Sequence, residues 1–70
     1  MFSQRLKELR ITKGDTQKII ANYLEITFSA YQKYEYGTRK PSYEILLALA
    51  NYFNVSLDYL TGLSDIKDRR

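Results

Sequence analysis

Residues 16–37, TQKIIANYLEITFSAYQKYEYG, decide how this 70-residue chain folds. They read as two short helices meeting across a tight turn, with the small Ala21 where the helices would cross. Ile20 and Leu24 keep helical spacing in the first segment and Tyr31 and Tyr34 in the second, while Ile26 falls in the break. A tight crossing needs a residue without bulk at the contact, and Ala21 supplies it. Thr16 and Thr27 stand where their hydroxyls would cap the two helices.

Two capped helices across such a turn have the shape of a helix-turn-helix, whose second helix is built to lie in the DNA major groove. Any small helical bundle also has capped corners, so the rest of the chain must separate the two readings. Outward from the core stretch, Ser3 is placed to cap a first helix over residues 4–12, with Leu6 and Leu9 inward and Lys13-Gly14 ending it. The second helix covers residues 17–24 and the third residues 28–36, stopping at Gly37. A basic loop over residues 38–41 exposes Arg39 and Lys40. Pro41-Ser42 start a fourth helix whose core face is Leu46, Leu49, Ala50 and Phe53. Glu44 in its first turn suits the helix dipole, and Asn54 closes it. Ser56 caps a short fifth helix through Leu60, with Gly62 as its stop. The sequence therefore predicts an all-α, compact five-helix domain over residues 1–63. SDIKDRR, residues 64–70, is charged, lacks an apolar period and reads as a frayed tail.

Composition narrows the chemistry. A chain this short buries only about 60% of its unfolded surface, so a second copy is a natural source of added stability. Hydrophobic content of 44%, with seven Tyr and three Phe, is too rich for disorder. There is no Cys and no His, so disulfides, thiol chemistry and the usual zinc and haem ligands are all missing. A nucleophilic triad has no base. Gly14, Gly37 and Gly62 all fall at helix ends, so no glycine-rich loop exists to hold a phosphate. No enzyme, metal or cofactor is expected. No apolar run approaches a membrane span, and MFSQRLKELR is charged where a signal peptide needs an apolar stretch. The expectation is a soluble, cytoplasmic protein. A net charge of +3 favours an anionic partner mildly.

The order and spacing of several short pieces carry a family resemblance. They are RLKELR at 5–10, KG at 13–14, TQ at 16–17, Ala21, Ile26-Thr27, KYEYG at 33–37, RKPS at 39–42 and LALANYFNVSLDYL at 47–60. With them the chain resembles the Cro and lambda-repressor type of bacterial and phage transcriptional regulators over residues 2–62. The resemblance implies a lambda-repressor-like fold that binds operator double-stranded DNA as a homodimer, acting as a repressor. It also implies a partly buried ion pair between Arg10 and Glu35 that ties the first helix to the third. Two departures stand out. Glu25 occupies the turn position where the family usually has Gly, and a left-handed backbone there costs about 1 kcal/mol. Tyr31 and Tyr34 replace mostly aliphatic residues, which suggests a wider or partly wet seam.

Counted from the Thr27 cap, the outward face of the third helix offers Phe28, Ser29, Gln32 and Lys33. Gln pairs with adenine, Lys donates to guanine O6 and N7, and Phe28 fits a thymine methyl. The same four positions read bases in the resembled family. Alternatively, Gln32 and Lys33 are solvated helix surface and Phe28 folds back as a hydrophobic staple. Phosphate contacts are expected from Gln17 at the start of the second helix and from Thr38, Arg39 and Lys40 in the basic loop, with Lys18 and Asn22 as lesser candidates. Val55 and Leu60 match the family's core. That leaves Leu57, Tyr59 and Leu63 as a dimer surface, unless they finish the monomer core; Ile66 joins them if the tail orders. The rival reading is an antitoxin-type protein-interaction module that also binds DNA.

Overall fold

Five helices form in chain order: α1 (Phe2–Lys13), α2 (Gln17–Leu24), α3 (Phe28–Tyr36), α4 (Tyr43–Phe53) and α5 (Leu57–Thr61). The structure is a computed structural model and describes residues 1–68. Four helices start at the caps the sequence marks. Thr16 Oγ1 accepts from the Ile19 N–H at 3.2 Å, Thr27 Oγ1 from Ala30 at 3.0 Å, Ser42 Oγ from Ile45 at 3.2 Å and Ser56 Oγ from Tyr59 at 3.0 Å. Each satisfies a backbone donor the helix itself leaves free, worth about 1 kcal/mol.

The first helix departs from expectation. It begins at Phe2, with Met1 at the cap position and no side-chain cap, so Ser3 lies inside the helix. Phe2 packs against the core, and the Met1 carbonyl accepts the Arg5 N–H at 3.0 Å, which completes the earlier turn. Ser3 then meets the end of α3. A Cβ on Gly37 would sit 3.3 Å from Ser3 Oγ, and Gly37 has φ 80, so glycine is needed there for both space and backbone.

The core joins all five helices. Leu6, Ile20, Ala21, Leu24, Tyr31, Tyr34, Leu49, Ala50, Val55 and Leu60 are buried, and Leu9, Leu46 and Phe53 pack half-buried against them. Tyr31 and Tyr34 meet edge to face with ring centroids 6.5 Å apart. The seam accommodates both rings, and the buried Tyr31 hydroxyl is satisfied by a carboxylate described below. In this packing α2 crosses α3, α1 lies on α3 and α5, and α4 lies on α5 and α2.

The turn between α2 and α3 holds Glu25 at φ 57, ψ 40, the left-handed region. Its N–H donates to the Asn22 carbonyl and that of Ile26 to the Ala21 carbonyl, both at 3.1 Å, closing α2. Glu25→Gly is expected to raise the unfolding free energy by about 1 kcal/mol, because it removes the Cβ clash of that backbone. Asn54, at φ 54, is the control: asparagine tolerates this region, so Asn54→Gly should gain less. Urea unfolding of both variants measures the difference. A loss of stability on Glu25→Gly would show that the turn is held by the glutamate side chain.

The tail is not frayed through residue 67. The Ser56 N–H donates to the Lys67 carbonyl at 2.9 Å and Ser56 Oγ to that of Ile66 at 3.1 Å. Arg5 Nη1 donates to the carbonyls of Tyr59 and Ser64 at 3.0 and 2.8 Å. Sequence pattern missed this because the segment is held by backbone groups, which leave no side-chain period. Residues 69–70 of the expected tail lie outside the described residues.

Candidate nucleic-acid interface

Glu35 ties α3 to α1 and α2. Its carboxylate accepts from Arg10 Nε at 2.7 Å and Nη2 at 3.1 Å, from Gln17 Nε2 at 3.1 Å and from the Tyr31 hydroxyl at 2.6 Å. Donors from α1, α2 and α3 thus converge on one group, and the Arg10 contact is the bidentate form of an arginine–carboxylate bond. The Glu35 side chain is 2% exposed and that of Arg10 16%. Burial alone would raise the Glu35 carboxyl, but the hydrogen bonds from Arg10, Tyr31 and Gln17 outweigh it and hold the group below the ordinary glutamate value. Burial pushes the Tyr31 hydroxyl up, and its bond to Glu35 adds to that, so it stays a donor. Arg10's own hydrogen bonds to Glu35 raise the guanidinium.

This hub orients a second pair. An ionised carboxylate only accepts, so Gln17 must turn its NH2 towards Glu35 and its carbonyl away. That carbonyl faces Gln32 Nε2 at 3.5 Å. Gln32 is half-buried, not fully outward as the sequence suggests. Among the described residues, one Gln32 N–H and its carbonyl take no further partner.

The other residues singled out from sequence fall around this pair. Ser29 and Lys33 are exposed on α3, and Phe28, at its first position, is 40% exposed. Lys18 and Asn22 are exposed on α2. Thr38, Arg39 and Lys40 are exposed in the loop after α3, although the Thr38 hydroxyl donates to the Lys33 carbonyl at 3.4 Å and so helps close the helix. Lys18, Lys33, Arg39 and Lys40 take part in no ion pair among the described residues. An open cleft of about 570 Å³ runs past the start of α2, lined by Gln17, Lys18, Phe28, Arg10, Lys7 and Tyr36 among others. Lys7 and Tyr36 were missed from sequence. Lys7 lies on the first helix, away from the motif, and only the folded chain brings it beside Gln17.

Among the described residues no group of acids could hold a metal, and no helix is long and apolar enough to cross a membrane. The fold and this surface define a helix-turn-helix DNA-binding domain. The helix-turn-helix family model matches residues 6–60, and the chain belongs to that family. It is a domain of the transcriptional-regulator type, not an enzyme. It is 48% identical over 60 residues to the uncharacterized HTH-type transcriptional regulator YqaE of Bacillus subtilis, covering 86% of this chain and 52% of that protein. It is 31% identical over 65 residues to the cryptic phage CTXphi transcriptional repressor RstR of Vibrio cholerae, covering 93% and 59%. Among solved structures, a transcriptional regulator from Listeria innocua superposes with TM-score 0.85 at 34% identity, covering 89% of this chain and 58% of that one. The restriction-modification controller protein C.AhdI from Aeromonas hydrophila gives TM-score 0.77 at 34% identity, covering 84% and 89%. The chain spans about half the length of the curated relatives it matches.

Proposed function

We propose that this chain binds operator DNA in the cytoplasm as a homodimer and represses transcription, with α3 in the major groove. The observation that carries this reading is the α3 surface. Lys33 and Ser29 stand exposed on a helix tied down by the buried Glu35 hub, flanked by Lys18, Arg39 and Lys40, and none of the four cations has an ion-pair partner among the described residues. Base recognition needs a rigidly aimed set of donors, and phosphate contacts around it set the register. Gln32 is aimed with one N–H and its carbonyl free, the complement of an adenine edge, while Lys33 suits guanine. Phe28 stands beside them for a thymine methyl. Gln17, Lys18, Asn22, Thr38, Arg39 and Lys40 take the phosphates. Repression is supported by the likeness to a phage repressor.

The dimer rests on a size argument. One recognition helix reads about four or five base pairs, too few to find a site in a genome, so specificity calls for two copies on two half-sites. Leu63, 81% exposed, and the half-buried Leu57 and Tyr59 at the C-terminal end are the surface assigned to that contact.

Binding titrations against salt test the assignment of the loop. Arg39→Ala and Lys40→Ala are each expected to weaken binding about equally on preferred and scrambled duplexes. Each should lower the slope of log K against log salt by about 1, the loss of one phosphate contact. An unchanged slope in both variants would remove the loop from the interface.

A further inference from the structure

Tyr52, half-buried on α4, stands where several elements meet. Its ring lies 4.6 Å from that of Tyr23 on α2 and 5.0 Å, edge to face, from that of Phe53. The Lys13 ammonium at the end of α1 lies 5.1 Å from the same ring. Its hydroxyl donates to the Asp15 carboxylate in the loop between α1 and α2. Burial and this bond push the hydroxyl up to about 12, so at neutral pH it is a donor.

Asp15 is an awkward neighbour for a phosphate. It comes two residues before Gln17 and lines the same open cleft as Gln17 and Lys18. Its backbone is tied to α1, because its N–H donates to the Arg10 carbonyl and its carbonyl accepts from Arg10 Nη1, both at 3.2 Å. Among the described residues no cation pairs with its carboxylate. Glu35, the other acid lining the cleft, is occupied by the donors of the hub. Asp15 has the Tyr52 hydroxyl instead. Without that bond its carboxylate would be free to turn to the positive end of α2 and the Lys18 ammonium, the groups a phosphate needs.

We propose that Tyr52 is a positioning residue for DNA binding, whose hydroxyl holds the Asp15 carboxylate towards α4 and out of the place where a backbone phosphate meets the start of α2. The inference rests on the phosphate role proposed above for Gln17 and Lys18, and adds the residue that keeps their site open. Tyr52 acts through Asp15. A second negative charge about 4 Å from a phosphate weakens binding about fivefold in water, and more near a protein surface.

Titration of a preferred and a scrambled duplex at low and high salt is the test. Tyr52→Phe keeps the ring and removes only the hydroxyl. It is expected to weaken binding about fivefold or more on both duplexes at low salt, a loss that shrinks as salt screens the charge. Asp15→Asn should bind both duplexes at least as tightly as the wild type. Tyr52→Phe combined with Asp15→Asn should recover wild-type affinity, a rescue that a merely structural role for Tyr52 would not give. Far-ultraviolet circular dichroism checks the fold. Wild-type affinity in Tyr52→Phe, or a double variant as weak as Tyr52→Phe, would overturn this inference and leave the DNA-binding reading standing. If Tyr52→Phe unfolds, Asp15→Asn decides, and binding weaker than wild type overturns the inference. Wild-type affinity and salt slope in both Gln17→Ala and Lys18→Ala would overturn the phosphate role of α2, and this inference with it.

Discussion

Glu35→Ala is expected to lower the unfolding free energy by about 3–5 kcal/mol, the cost of removing one partner of a buried ion pair. The Arg10 guanidinium would stay in a site where only 16% of its side chain reaches solvent, with its carboxylate partner gone and the Asp15 carbonyl as its remaining acceptor. Arg10→Ala should cost a similar amount, and Tyr31→Phe less, about 1.5 kcal/mol for one donor to a charged acceptor. A double-mutant cycle by urea unfolding isolates the coupling, and the Arg10–Glu35 double variant should lose far less than the two single losses added. Additive losses would contradict the contact. Acid should act on the same group. Glu35 ionises at lower pH in the folded chain than its unfolded value of about 4.3. Its stabilisation is therefore fully present above that value and is lost as pH falls through the lower, folded one. Glu35→Gln should be less stable at neutral pH and show a flatter acid limb in a stability–pH profile.

Lys33→Ala is expected to weaken binding to the preferred duplex by about 1–3 kcal/mol and to relax the preference at one base position. This differs in kind from the loop variants, which act on all sequences alike. Gln17→Ala offers a second-order check. It unties Gln32 from the Glu35 hub, so the adenine preference should broaden as well as the phosphate contact being lost. Titrations on duplexes substituted one base pair at a time resolve both effects. An unchanged sequence preference in Lys33→Ala would remove that residue from the reading surface.

Most of the helical frame was legible because it is written in local chemistry. Thr16, Thr27, Ser42 and Ser56 announce helix starts, Gly14, Gly37 and Gly62 announce stops, and the spacing of Ile20 to Leu24 and Leu46 to Phe53 gives the inward faces. Ser3 misled because Phe2 gains more by packing than the helix gains from a serine cap, a tertiary effect that local signals do not carry. The Tyr31–Glu35 bond was readable in principle, as the two are four apart on one helix. The Gln17–Gln32 pair, the Lys7 wall of the cleft and the Arg5 bonds to the Tyr59 and Ser64 carbonyls join different elements, beyond any periodicity.

Under the proposed function, two copies of α3 read a two-fold-related pair of short sequences. Selection of bound duplexes from a random DNA pool tests it most directly. The expected outcome is an enriched, roughly palindromic motif whose half-sites lie about 34 Å, one helical turn, apart. Enrichment of no motif, or of a single half-site without dyad symmetry and bound by one protomer, would contradict it.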